Sequence, residues 1–368
     1  MEENRTADTN DNTKKNKVKE FLVRKNVIFS AKIYLIDAMS AMANGLFASL
    51  LIGTIISTLG QRLGIQLLID IGNFAKGVAG PAMAVSIAFA LKAPPLVLFS
   101  MLAVGSAANS LGGAGGPLAV FFIAIVATEL GKIVSKETKV DILVTPLVSI
   151  CSGALLSMAF APYIGEAASS IGKLIMWATE LHPLMMGVLV SVIVGMVLTL
   201  PISSAAICAA LGLTGLAGGA AVAGCSAQMI GFAVMSYKEN KLGGLVSQGL
   251  GTSMLQMGNI VKNPKIWIPP TLTAAITGPV ATCIFKMRMD GEAIASGMGT
   301  CGFVGQIGVY SGWVNSIAEG TKSAITTNDW LGLLVVCFIL PAVLSTSFCM
   351  ILKSLGWIKE DDLKLEDM

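Results

Sequence analysis

Residues 95–134 read PLVLFSMLAVGSAANSLGGAGGPLAVFFIAIVATELGKIV, with no charged residue before Glu129. Two apolar runs, 95–111 and 116–134, each approach the roughly 20 residues needed to cross a hydrocarbon layer. Between them, Gly112, Gly113, Gly115, Gly116 and Pro117 cannot continue a helix comfortably, because glycine adds backbone entropy and proline removes a donor. In lipid every backbone polar group needs an internal partner, so only helices and closed barrels cross it. The runs are long rather than alternating, and four tyrosines and five tryptophans are too few for the aromatic girdles of a barrel. The stretch predicts membrane helices joined by a break.

The same pattern extends outward. Further apolar runs cover 34–59, 66–91, 141–162, 183–200, 202–236, 266–287 and 327–354. Hydrophobic residues make up 54% of the chain and charged residues 13%, with a mean hydropathy of +0.76; soluble domains carry about a quarter charged residues. The expected fold is an all-α polytopic membrane protein of about ten spans with re-entrant hairpins. The run 202–236 contains Gly215, Gly218, Gly219 and Gly224 and reads as two short spans or a hairpin. The glycine-rich 291–313 is only moderately apolar and reads as a re-entrant segment, tolerated where protein or a cavity surrounds it.

The expected organisation is a disordered cytoplasmic tail (1–32), an N-terminal membrane domain for dimerisation (33–162), an interfacial amphipathic connecting helix (163–182), a C-terminal solute-carrying membrane domain (183–354) and a cytoplasmic tail (355–368). In the connecting helix Ile164, Ala168, Ile171, Leu174, Ile175 and Ala178 recur at three- and four-residue steps. Lys14, Lys15, Lys17, Lys19, Arg24, Lys25 and Lys32 precede the first span and predict a cytoplasmic N-terminus by the positive-inside rule. Lys353, Lys359 and Lys364 do the same for the C-terminus. A net charge of +3 gives no nucleic-acid signal, since the basic residues flank apolar runs. The seven cysteines are scattered singly without CxxC spacing, and the chain has one histidine, so neither a metal site nor a cofactor is expected.

Candidate solute contacts follow from polar groups in apolar surroundings, where they are costly unless paired. The broken helix offers Asn109, Ser110, Gly113 and Gly116. Leu200-Pro201 ends a run ahead of Ser203 and Ser204. Gln228, Gln256, Asn259, Gln306 and Asn315 are neutral amides, suited to a sugar or polyol. Glu292 is the expected acid of the site, while Asp70, Lys76, Glu129 and Asp290 are further charges at membrane depth. His182, before Pro183, reads as helix-end structure or as a proton or solute contact. Gln228 reads alternatively as a hydrogen-bonding link between helices.

Residues 143–212 carry a Pro-Leu opening span, an amphipathic segment and a span ending in Gly195-Met196 and, five residues on, Pro201. This resembles the membrane component IIC of the bacterial phosphotransferase system, and over nearly the whole chain the second IIC family, which includes the perfringolysin regulator-like proteins. The resemblance implies a homodimeric inner-membrane sugar permease with elevator-type movement, served by separate IIA and IIB proteins. No Cys-Pro-Thr-Gly phosphorylation loop or IIA or IIB domain is present, so no catalytic phosphoryl-transfer residue is expected here. The mannitol-type Gly-x-His-Glu motif is absent, and Leu200-Pro201 stands where fructose carriers have an aspartate. A membrane-embedded solute sensor regulating gene expression and an ion-coupled elevator carrier are the alternatives.

Overall fold

The computed structural model describes residues 20–365. The lysines at 14, 15, 17 and 19 and most of the expected N-terminal tail lie outside the described residues. Within them the chain is helical, with no strand; a single bridge pairs Gly215 with Met289. Five helical stretches are long and apolar enough to cross a membrane: Lys32–Gln61, Pro95–Val134, Asp141–Thr179, Gly215–Met235 and Thr327–Ser354.

The helices in order are α1 (Ala38–Leu46), α2 (Ile52–Leu63), α3 (Gln66–Gly77), α4 (Ala79–Ala90), α5 (Pro95–Gly112), α6 (Gly116–Val134), α7 (Asp141–Thr179) and α8 (Pro183–Thr199). There follow α9 (Ser204–Ala210), α10 (Gly215–Met235), α11 (Tyr237–Val246), α12 (Met257–Lys262), α13 (Ile268–Pro279), α14 (Val304–Ala318), α15 (Thr327–Leu334) and α16 (Leu340–Ser354). Wider π turns make α1 and α2 nearly continuous, and likewise α15 and α16. Prolines stand in the first turns of α5, α6 and α8, where the missing N–H has no helical partner to lose. Gly64 ends α2 at φ +67°, a left-handed cap that glycine adopts without strain.

The last span of the expected N-terminal domain and the connecting segment are continuous. α7 runs unbroken through Pro146 and Pro162 to Thr179, so the span 141–162 and the amphipathic segment form one 39-residue helix. Pro162 deprives the Met158 carbonyl of its usual donor without ending the helix, as membrane helices often tolerate. Within this helix Ala168, Gly172, Ile175 and Ala178 are buried, whereas Glu166, Ser169, Ser170 and Lys173 are exposed. The run 66–91 divides into α3 and α4 at Val78. Run 202–236 resolves into short α9, a turn at Gly212 and the long α10.

α10 is the most enclosed of the candidate spans, because its small residues admit close neighbours. A Cβ on Gly224 would overlap the backbone of Ser191 on α8, and one on Gly219 would overlap the Met287 carbonyl. In the N-terminal part, Gly45 of α1 lies against the Ala82 carbonyl of α4; its surface is used within the chain.

The largest apolar core joins Met42, Met83, Met101 and Phe121 to Phe232, Ile260, Ile358, Leu363 and Leu365. The stretch 357–365 is thus packed down rather than free. Side-chain amides hold its backbone: Asn240 and Gln256 donate to the Leu363 carbonyl at 2.8 and 2.9 Å, Asn259 to that of Lys364 at 2.8 Å, and Asn263 to that of Trp357 at 3.0 Å. The N-terminal cations meet the loop after α6. Lys25 and Arg24 pair with Glu137, and the Lys25 hydrogen bond holds that carboxyl below its ordinary pKa. Lys132 is buried against Glu129 at 3.0 Å and donates to the carbonyls of Asn26 and Leu91.

Candidate functional site

Three breaks in helical structure converge. After α5, Gly113 takes φ +50° and ψ −123°, a conformation open to glycine, and a short turn leads into α6. After α8, Leu200 is extended ahead of Pro201, and Ser203 caps α9 by accepting from Ala206 N–H at 3.2 Å, the usual role of an N-cap serine. The third break is residues 290–303, made of short 3-10 turns before α14. Ser203 N–H donates to the Ala114 carbonyl at 2.9 Å, and the Ser204 hydroxyl to the Gly297 carbonyl at 2.7 Å. A glycine is required at 297, since a Cβ there would come within 2.6 Å of the Ser204 carbonyl oxygen.

The breaks enclose a cavity of about 760 Å³, within the roughly 300–1,000 Å³ of small-molecule sites. Of the sequence-predicted residues, Asn109, Gly113, Ser203, Ser204 and Glu292 line it, and Pro117, Lys76, Asp290 and Asn315 join them. The opposite wall comes from Thr54, Ser57, Thr58 and Gln61 on α2, with Thr252 and Ser311 elsewhere. Reasoning from breaks missed the α2 wall. Its signal was a polar stripe at positions 54, 57, 58 and 61, spaced for one helical face.

Glu292 is exposed and makes no side-chain hydrogen bond or ion pair among the described residues. Asp290 is held by Arg288 at 2.8 and 3.2 Å, and this hydrogen bond raises the guanidinium pKa above its ordinary value. Apart from these acids and Lys76, the lining is hydroxyls, amides and apolar side chains, a surface that can alternate donors and acceptors around a polyhydroxylated solute.

The other candidates lie elsewhere. Ser110 is exposed and outside the lining, and Gly116 packs against the Asn109 side chain. Gln306 is buried and donates to the Ser226 hydroxyl at 3.3 Å. His182 is exposed immediately before α8. Gln256 and Asn259 serve the 357–365 segment, linked to each other and to Gln248 at 2.9 Å. Gln228 is fully buried; its Oε1 accepts from Trp267 Nε1 at 3.0 Å and Thr199 Oγ1 at 3.3 Å, and its Nε2 donates to Thr271 Oγ1 at 3.2 Å.

Replacing Gln228 with alanine is therefore expected to lower stability while leaving solute affinity unchanged. Unpairing buried donors and acceptors costs about 1–3 kcal/mol. Thermal unfolding in detergent, alongside a binding isotherm, separates the two effects; weakened binding at unchanged stability would contradict this assignment.

A family model described as phosphotransferase system, EIIC, matches residues 36–365. No curated protein matches the chain.

Proposed function

The chain belongs to the phosphotransferase-system EIIC family, and from this premise we propose that it is a sugar permease component whose solute occupies the cavity between α2, α5, α9 and residues 290–315. The observation that carries the reading is the meeting of three helix breaks around one space lined by hydroxyls and amides. Broken helices free backbone groups for a polar ligand at membrane depth. Phosphorylation of the solute is assigned to separate IIA and IIB proteins.

The reading includes both termini on the cytoplasmic side. In support, the Arg24–Lys25 pair, the loop at Glu137, the loop at Asn240 and the 357–365 segment belong to connected parts of the chain: α12 packs between residues 32–40 and Lys364. Lysines concentrate there, as the positive-inside rule requires of a cytoplasmic face. A reporter fused after residue 365 and reading external would refute this. The reading also takes the carrier as a homodimer moving its solute by an elevator-type shift. Exposed Phe74, Phe89 and Phe99 supply apolar surface in the N-terminal part.

The test begins with purified protein screened against sugars and polyols by thermal shift. For the solute that binds, Glu292→Gln should weaken affinity about tenfold or more, the worth of one hydrogen bond to a charged group. Cys349→Ala, a core position remote from the lining, serves as control. Affinities of Glu292→Gln and Asn109→Ala both equal to the control would place the solute elsewhere.

A further inference from the structure

We infer that Lys76 makes this cavity selective for a solute bearing an anionic group, a carboxylate or a phosphate. The inference rests on the cavity being the solute site. Lys76 closes the last turn of α3, half-buried in the cavity wall. Its ammonium donates to the Ser57 hydroxyl at 3.1 Å, and the described residues hold no carboxylate partner for it. The other ion pairs use Glu129, Glu137, Glu239, Asp290 and Asp329 with cations other than Lys76.

The ammonium is placed rather than loose. Ser57 is buried and passes its own proton to the Thr54 carbonyl at 3.1 Å, so its oxygen lone pairs face the lysine. The helices approach closely enough for this contact because both positions at the crossing are glycines. A Cβ on Gly53 would lie 2.9 Å from the backbone nitrogen of Lys76, and one on Gly72 would lie 2.6 Å from the Ser57 backbone nitrogen and Cβ. An ammonium has three donors; Ser57 takes one and two remain for the cavity. The acids that also line the space do not neutralise it: Asp290 is paired with Arg288, and Glu292 is exposed to solvent. A half-buried cation lacking a counter-charge at membrane depth is costly, and an anionic solute supplies the missing partner.

The experiment measures binding of D-glucose, D-glucuronate and D-glucose 6-phosphate to the purified full chain, with Lys76→Gln and Lys76→Arg. One acid is expected to bind about ten- to a hundredfold more tightly than glucose, consistent with a charge-assisted hydrogen bond; which acid does so identifies the group. Lys76→Gln should abolish the preference, whereas Lys76→Arg should keep most of it. Size-exclusion profiles and melting midpoints matching the wild type show that both variants fold. Glucose binding as tightly as both acids, or a preference that survives Lys76→Gln, overturns the inference. Failure of all three probes overturns instead the reading of the cavity as a sugar site.

Discussion

Leucine at position 224 is expected to leave little folded protein. Gly224 sits where α10 crosses α8, and even a bare Cβ would overlap the Ser191 carbonyl and its neighbouring backbone atoms. A backbone cannot rotate aside as a side chain can, so the helices must part. The parting would also disturb the Ser191 hydroxyl, which donates to the Ala274 carbonyl of α13 at 2.7 Å, and the buried Gln228 one turn further along α10. Overpacking of a close-fitted core costs about 1–3 kcal/mol, and loss of the paired groups adds about 1 kcal/mol or more. Size-exclusion chromatography of Gly224→Leu should show aggregate or loss of yield, with Gly243→Ala, where a Cβ meets nothing, behaving as wild type. A monodisperse Gly224→Leu with an unshifted melting midpoint would refute the packing argument.

Deleting residues 357–368 should be nearly as damaging. The deletion removes Ile358, Leu363 and Leu365 from the main core, each worth about 1.5–3 kcal/mol of burial. It also strips the acceptors from Asn240, Gln256, Asn259 and Asn263. The freedom returned to the cut chain opposes this loss, but the core surface and the four amides left behind stay uncovered. The expected outcome is a melting midpoint lower by a few degrees or more. Leu363→Asp should reproduce it by burying a charge without a partner, whereas Glu360→Ala, at an exposed position, should not. An unchanged midpoint for the deletion and for Leu363→Asp would mean that the segment rests on the surface without supporting it.

Much of the helical layout was legible from local chemistry. Pro95, Pro117 and Pro183 stand in first turns, and the glycines at 112–116 and 212 sit at breaks, because these residues act on their own backbone. Asn109, Ser203, Ser204 and Glu292 could be singled out for the same reason, being polar groups at or beside those breaks. The amides at 228, 256 and 259 met the same criterion, yet each is paired inside the chain. Their partners at 199, 267, 271, 363 and 364 are distant in sequence, and an unpaired amide looks identical in sequence to one satisfied a hundred residues away. The α2 stripe went unread because its hydroxyls are individually unremarkable among apolar residues. Only the fold turns them toward a common space.

The cavity's walls come from stretches near 46–83, 109–117, 198–206, 252–254 and 290–315, and a ribosome delivers them in that order. At roughly 5–20 residues per second, the first wall waits on the order of ten seconds to a minute for the last. Through that interval the α2 wall waits without its full enclosure. Its chemistry suits the wait: the Thr54 hydroxyl donates to the Leu50 carbonyl at 2.7 Å and that of Ser57 to Thr54, so both are satisfied by their own helix before any neighbour arrives. The carboxylates of Asp290 and Glu292 belong to the wall made last. The hydroxyls of the first wall can thus mature on their own helix, whereas the Lys76 ammonium beside them waits for the finished enclosure.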